Sequence, residues 1–307
     1  MRLAAQYNAG AYETLDAFLD HRPMDMVAIG TPSGLHAEHG IAAARRGLHV
    51  LVEKPIDITT LRADALIAET ARAAVTLGVI FQDRLKPGIQ RMKALVDTGR
   101  LGTPILATAH VKWYRPPSYY ADSRWRGTLA LDGGGALINQ AVHTVDLLLW
   151  LFGPVRRVFG RTATRLHGIE AEDTAVAALE FASGALGTLE AATSAYPGYS
   201  RRMELTGSEG TLLLDGDELV AVDLRDARDG GTGSPIDPQS RKVGPPVSAS
   251  SPVVADASAH QRVFEDFIHA VATHSAPACD GREGRRSVEL VEAIYESART
   301  NRPVDLT

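Results

Sequence analysis

The chain has 307 residues, 45% hydrophobic and 22% charged, with a formal charge of -5 and a pI near 6.1. That length suits two domains with packed cores, and the scattered basic residues exclude an electrostatic footprint for nucleic acid or an anionic membrane surface. The single Cys279 excludes an internal disulfide, and the apolar runs are too short to span a membrane. The expected location is therefore cytoplasmic, with no membrane or nucleic-acid partner. Cys279, in the turn-like stretch Ser275 to Asp280, reads as an inert thiol.

Met1 to Gln6 reads as the tail of a helix, followed by a short helix near Thr14 to Asp20. Met24 to Gly30 is a short apolar run that suits a buried parallel strand, broken by Thr31-Pro32-Ser33-Gly34. His36 to Arg46 is alanine-rich and helical, closed by Gly47. His49 to Val52 is the next strand, Leu61 to Leu77 a helix, and Val79 to Gln82 a third strand. Strand and helix alternate, which predicts a parallel sheet with right-handed crossovers.

The pattern changes near Thr103-Pro104. Ile105 to Tyr114 reads as a longer strand, and Gly133-Gly134-Gly135 leads into a strong helix from Ala136 to Phe152. Val155 to Val222 reads as successive strands with turns at Ser183-Gly184, Gly207-Ser208 and Asp215-Gly216, hence an antiparallel sheet. Asp226 to Ser258 is rich in Gly, Pro, Ser and Asp and is predicted to be a mobile loop. Helices from His260 to Thr273 and Glu283 to Thr300 close the chain. The predicted plan is α/β: an incomplete parallel-sheet domain over 1–102, then an α+β domain with a large, mainly antiparallel open sheet over 103–307.

A dinucleotide-binding domain opens with a strand, a G-x-G-x-x-G loop, a helix and a second strand. No G-x-G-x-x-G occurs. The run at 133–135 has no third glycine at the required offset, and Gly230-Gly231-Thr232-Gly233 has no strand before it or helix after it. The chain begins where such a domain enters its second helix. The expectation is that Met1 is an internal methionine of a longer protein, and that the chain as written binds a dinucleotide weakly.

Two segments carry chemistry. Glu53-Lys54-Pro55 ends a strand at the carboxyl edge, where open α/β sheets bind ligands. An ammonium there polarises a substrate hydroxyl, although the tripeptide alone also fits a surface lysine. In Asp132 to Asp146, helical spacing brings Asn139, His143 and Asp146 to one face. A histidine there suits removal of a hydroxyl proton. Taken alone, His143 also fits a core histidine held by Asp146. His110, His167 and Glu170 lack metal-ligand spacing, His269 and His274 read as solvated, and no metal is expected.

The segments Ile29 to His36, Gly47 to Pro55 and Gly133 to Asp146 together resemble the glucose–fructose oxidoreductase / inositol dehydrogenase / MocA family, and the similarity runs over essentially the whole chain. The resemblance implies a Rossmann domain, an open-sheet second domain often used for homo-oligomer contacts, and reversible hydride transfer between NAD or NADP and a sugar or cyclitol carbon. Lys54 and His143 match the family's catalytic lysine and histidine. Thr31, Pro32, His36, Glu53 and Lys54 match positions on the nicotinamide side, and Trp125 and Arg126 resemble a pair that meets cofactor or substrate.

Many members have Asp where this chain has Asn139. Asn orients a hydroxyl without taking its proton, and the Asn139-Gln140 pair is similar to members acting on nucleotide sugars. Asn139, Asp146, Tyr114 and Arg124 are the candidate substrate contacts. Tyr114, Arg115, Tyr119 and Tyr120 suit a sugar face and an anionic group, or a packed aromatic loop. Two alternatives stay open: an NAD-dependent glycosidase of the same family, and a cofactor-free binding or assembly protein.

Overall fold

A computed structural model describes residues 2–225 and 256–306. The predicted loop falls, over 226–255, outside the described residues. Short helices α1 (Arg2–Gln6) and α2 (Leu15–Leu19) precede β1 (Met26–Ile29), α3 (His36–Ala44), β2 (His49–Glu53), α4 (Thr60–Arg72) and β3 (Leu77–Ile80). The three strands pair in parallel with β2 central. Their sequences are apolar because both faces are covered. Val50, Val52 and Val79 pack with Ala63 and Leu66 on one side, and Leu51 and Ile80 pack with Val263 and Phe267 on the other.

Helix α4 stops five residues short of the predicted end. Ala74 turns left-handed (φ 54°), and the Thr76 carbonyl accepts from Val50 N at 2.9 Å. Sheet pairing takes Thr76 and Leu77 out of an alanine-rich helical pattern. An unanticipated helix, α5 (Pro87–Asp97), follows β3 and has its proline in the first turn, where no backbone donor is needed.

The second sheet is built from β4 (Pro104–Lys112), β5 (Val155–Ala163), β6 (Thr174–Phe181), β7 (Leu186–Ala192), β8 (Arg202–Gly207), β9 (Gly210–Asp215), β10 (Glu218–Leu224) and β11 (Val304–Asp305). Its order is β10-β9-β8-β4-β7-β6-β5-β11. All pairs are antiparallel except β4 with β7. Alternate residues Ala107, Ala109 and Val111, with Leu189 and Ala191, are buried. They pack on α7 (Val142–Phe152), which follows the short helix α6 (Ser118–Ala121).

Helices α8 (Ser258–Thr273) and α9 (Gly281–Thr300) return to the first sheet. Val288 of α9 joins the core of β1–β3, while its Leu290, Val291 and Ile294 join the core under the large sheet. A cut at Gly102 thus separates the two sheets but not the helices that cover them.

Candidate active site

Because β1, β2 and β3 are parallel, the residues after each strand meet along one edge. They are Thr31, Lys54 and Gln82-Asp83. The turns are fixed from below. Asp57, fully buried, accepts from Ala37 N at 2.8 Å and Ile58 N at 2.7 Å and pairs with Arg62 at 2.8 Å. His36 is 1% exposed; its Nδ1 bonds the Pro55 carbonyl at 2.8 Å and its Nε2 the Thr31 carbonyl at 2.9 Å. With both nitrogens engaged, His36 ties the Thr31 and Lys54 turns together and has none left for a cofactor. That differs from its expected place on the nicotinamide side. Thr31 is exposed at the edge, and Pro32 and Glu53 are half-buried beside it.

The opposite wall is the start of the central helix. Residues Ala136–Ala141 form a π-helical turn before α7, rather than one regular α-helix. Glu172 builds this turn by accepting from Gly135 N at 3.0 Å and Leu137 N at 2.8 Å, and from the Tyr295 hydroxyl at 3.0 Å. A Cβ on Gly135 would overlap the Glu172 carbonyl oxygen. The glycine run therefore serves close approach of the Glu172 backbone. The π turn also presents the Asn139 carbonyl to Lys54 Nζ, which donates to it at 2.7 Å.

Lys54 is thereby anchored one helical turn ahead of His143, and its charge lowers the imidazole's proton affinity. Burial is the largest influence on Lys54 and lowers its pKa, against the pull of Glu53, Asp132 and Asp83. Burial likewise pushes the His143 imidazole down to about 3, with Asp83 opposing. Its side chain keeps 13% exposure, and its Nδ1 lies 3.9 Å from Asp83 Oδ2. Burial would raise the Asp83 carboxyl, but Arg201, His143 and Lys86 hold it well below the ordinary carboxylate range. Arg201 also bonds Asp217, and Lys86 reaches Asp83 at 2.6 Å and Asp217 at 2.8 Å.

Asn139 sits in a side-chain chain. Its Nδ2 donates to Asp132, and its Oδ1 accepts from Gln140 Nε2 at 2.6 Å. Gln140 also donates to the Tyr119 hydroxyl at 3.0 Å and accepts from Arg115 at 2.8 Å. Arg126 stacks on Tyr119 at 4.3 Å and on Trp125 at 5.5 Å, which brings the predicted Trp125-Arg126 pair to the margin of the site. A cleft of about 430 Å³ opens beside it, lined in part by Tyr120, Ser123, Arg126, His167 and Glu170. His167 is held by Asp173 at 3.2 Å and the Arg115 carbonyl at 2.9 Å.

Two expected substrate contacts, Asp146 and Tyr114, are engaged elsewhere. Asp146 is 1% exposed, and both its oxygens accept from Arg84, at 2.8 and 2.6 Å. The π turn changes the phase of the helix, so Asn139 and Asp146 do not share the cleft face. Tyr114 meets Tyr196 edge-on at 5.2 Å and bridges to Ser194, one position past core-packed Trp113 on the alternating strand. Arg124 is exposed, with no side-chain partner among the described residues. Asp83, Asp132 and Arg201 were not anticipated. Asp83 follows β3 at the same carboxyl edge as Lys54, so the rule that found Lys54 points to it as well. Arg201 joins over 118 residues and leaves no local signal.

The residues present fit the nicotinamide end of a dinucleotide: the strand-end turns at Thr31 and Lys54, and the buried, unpartnered Oε1 of Gln82. No cluster of three metal-ligating side chains occurs, and no helix is long and apolar enough to cross a membrane, among the described residues.

Residues 1–81 match the oxidoreductase family with an NAD-binding Rossmann fold, and residues 89–213 match the GFO/IDH/MocA C-terminal domain. The WlbA dehydrogenase of Bordetella pertussis, solved with NADH and UDP-GlcNAcA, superposes with a TM-score of 0.86 at 32% identity, over 100% of this chain and 86% of that one. D-xylose 1-dehydrogenase (NADP(+)) 2 of Haloferax volcanii is 30% identical over 96% of this chain and 85% of its own. D-apiose dehydrogenase of Paraburkholderia graminis is 28% identical over 96% of this chain and 76% of its own. With both domains matched, the chain belongs to the Gfo/Idh/MocA family of NAD-binding oxidoreductases.

Proposed function

We propose that this oxidoreductase acts on a hydroxyl-bearing carbon of a sugar, nucleotide sugar or cyclitol, with Lys54 and His143 handling the proton. The observation that carries this reading is that Lys54, from the sheet edge, donates to the Asn139 carbonyl, one turn ahead of His143 on the same helical segment. A bound nicotinamide, NAD or NADP, supplies the hydride acceptor. Thr31, Pro32, Glu53 and Gln82 line the edge where its ring would lie, and Trp125 and Arg126 flank it. Buried His143 is neutral near pH 7 and can take the hydroxyl proton. Lys54, held by the Asn139 carbonyl, donates to the developing alkoxide. Asn139 orients a neighbouring hydroxyl.

The cleft beside Arg126 supports a substrate larger than one sugar ring, with Arg126 placed for an anionic group. That favours a nucleotide sugar, the class to which WlbA's UDP-GlcNAcA belongs. Retention of Lys54 and His143 speaks against a cofactor-free assembly role. The test is hydride transfer to NAD and NADP with sugars, cyclitols and UDP-sugars. NADH binding without turnover of any of them overturns the reading.

The same reading includes a homo-oligomer in the cytoplasm. Leu106, Phe159, Val176 and Leu186 are 40–58% exposed on the face of the large sheet opposite α7. An apolar sheet face of this kind suits a symmetric contact. The buried Cys279 suits a reducing compartment. Light scattering at high concentration tests the oligomer, and a clean monomer counts against it.

A further inference from the structure

Nδ1 of His143 is buried without a hydrogen-bond partner, yet it faces Asp83 Oδ2 at 3.9 Å. A buried ring nitrogen left unpaired is costly, so it is drawn to any acceptor within reach. Phe81 meets the imidazole edge-on at 5.7 Å and offers no acceptor. Asn139 carries no charge, and its amide is engaged by Asp132 and Gln140. The charged groups facing His143 are Lys54 from the end of β2, Asp83 and Lys86 from the turn after β3, and Arg201 beside β8. Asp83 is the one anion among them. It is 5% exposed and is clamped by Arg201 and Lys86, which keep it ionised and fixed in place.

We propose that Asp83 is the positioning residue of His143: its carboxylate attracts the Nδ1–H, selects that tautomer, and leaves Nε2 to exchange the hydroxyl proton. This rests on His143 carrying the proton chemistry proposed above. The ring must approach by roughly 1 Å to form a hydrogen bond, a tightening that catalytic hydrogen bonds commonly undergo when substrate binds. In the step, the substrate O–H proton passes to Nε2, the imidazole becomes imidazolium with Nδ1–H held toward Asp83, and Asp83 stays ionised throughout. A carboxylate arriving from the β3 turn thereby supplies the negative charge that the amide of Asn139, on the histidine's own helix, lacks.

The first test needs no substrate. Long-range proton–nitrogen NMR of 15N-histidine-labelled protein at pH 7.5, with His143 assigned through His143→Gln, should show an Nδ1-protonated imidazole. An Nε2-protonated ring overturns the proposal. The second is kinetic. Asp83→Asn should lower kcat by about 10² to 10⁴-fold with little change in KM, and should move the acid limb of kcat/KM to lower pH, because loss of the anion lowers the imidazole's proton affinity. In a His143→Ala background the same change should cost nothing further. An unmoved acid limb, or a full additional loss in that background, makes Asp83 a structural residue only. If Asp83→Asn does not fold because Arg201 loses a partner, the tautomer of the unaltered protein decides. Near-parental turnover in His143→Ala alone would instead remove the role of His143, a separate outcome.

Discussion

Lys54 donates to the main-chain carbonyl of Asn139 at 2.7 Å, not to its side-chain amide. The position of the ammonium thus depends on the π turn rather than on the identity of residue 139. Asn139→Ala should leave Lys54 in place and act mainly on KM, whereas Lys54→Met should lower kcat by about 10² to 10⁴-fold. Steady-state kinetics on the best substrate, after circular dichroism of both variants, checks the contrast. Equal losses of kcat would show that the amide itself serves the chemistry.

His143 should make the fold acid-sensitive. Its folded pKa lies near 3, below the unfolded value near 6.5, so the unfolded chain binds the extra proton. This group's contribution is at its full value above about pH 6.5 and is lost progressively as the pH falls toward 3. By pH 5 the loss is about 2 kcal/mol. Urea unfolding of the parent and His143→Gln at pH 8 and pH 5 isolates it; an identical pH dependence in both would contradict the assignment.

The Arg84–Asp146 pair is buried, at 3% and 2% side-chain exposure. Asp146→Ala leaves the Arg84 guanidinium with Glu283, the Ala278 carbonyl and the Trp150 ring face, and should cost about 3–5 kcal/mol of stability. Substrate KM in the protein still folded at low temperature should stay within about two-fold. A selective rise in KM without loss of stability would return Asp146 to the substrate.

Gly135→Ala places a methyl group against the Glu172 carbonyl. Backbone must move to admit it, so a loss of about 1–3 kcal/mol is expected, with turnover falling because the π turn carries both Asn139 and the approach to His143. Chemical denaturation beside kcat reads both effects.

Local pattern made much of this legible. Short apolar runs between alanine-rich segments gave the parallel sheet and hence the edge that presents Lys54. The Gly133 to Asp146 run gave His143. What failed was phase and distance. A regular helix was assumed through Ala136, so Asp146 was put beside Asn139. The chemistry of Tyr114 suits a sugar face, but strand alternation turns it toward Tyr196 and Ser194. Arg201 and Asp217 reach Asp83 from beyond residue 200, and no spacing rule spans that gap.

The π turn also sets a constraint on chain length. It holds one residue more than the α-helical turn it replaces, and each helical residue advances about 100° around the axis. Removing any one residue between Ala136 and Ala141 would let the segment rewind as plain α-helix and rotate one side against the other by about that angle. The imidazole and the carbonyl that anchors the ammonium would then point out of register, although every side chain named in the site were still present. This stretch can therefore exchange residue types but not gain or lose a single position.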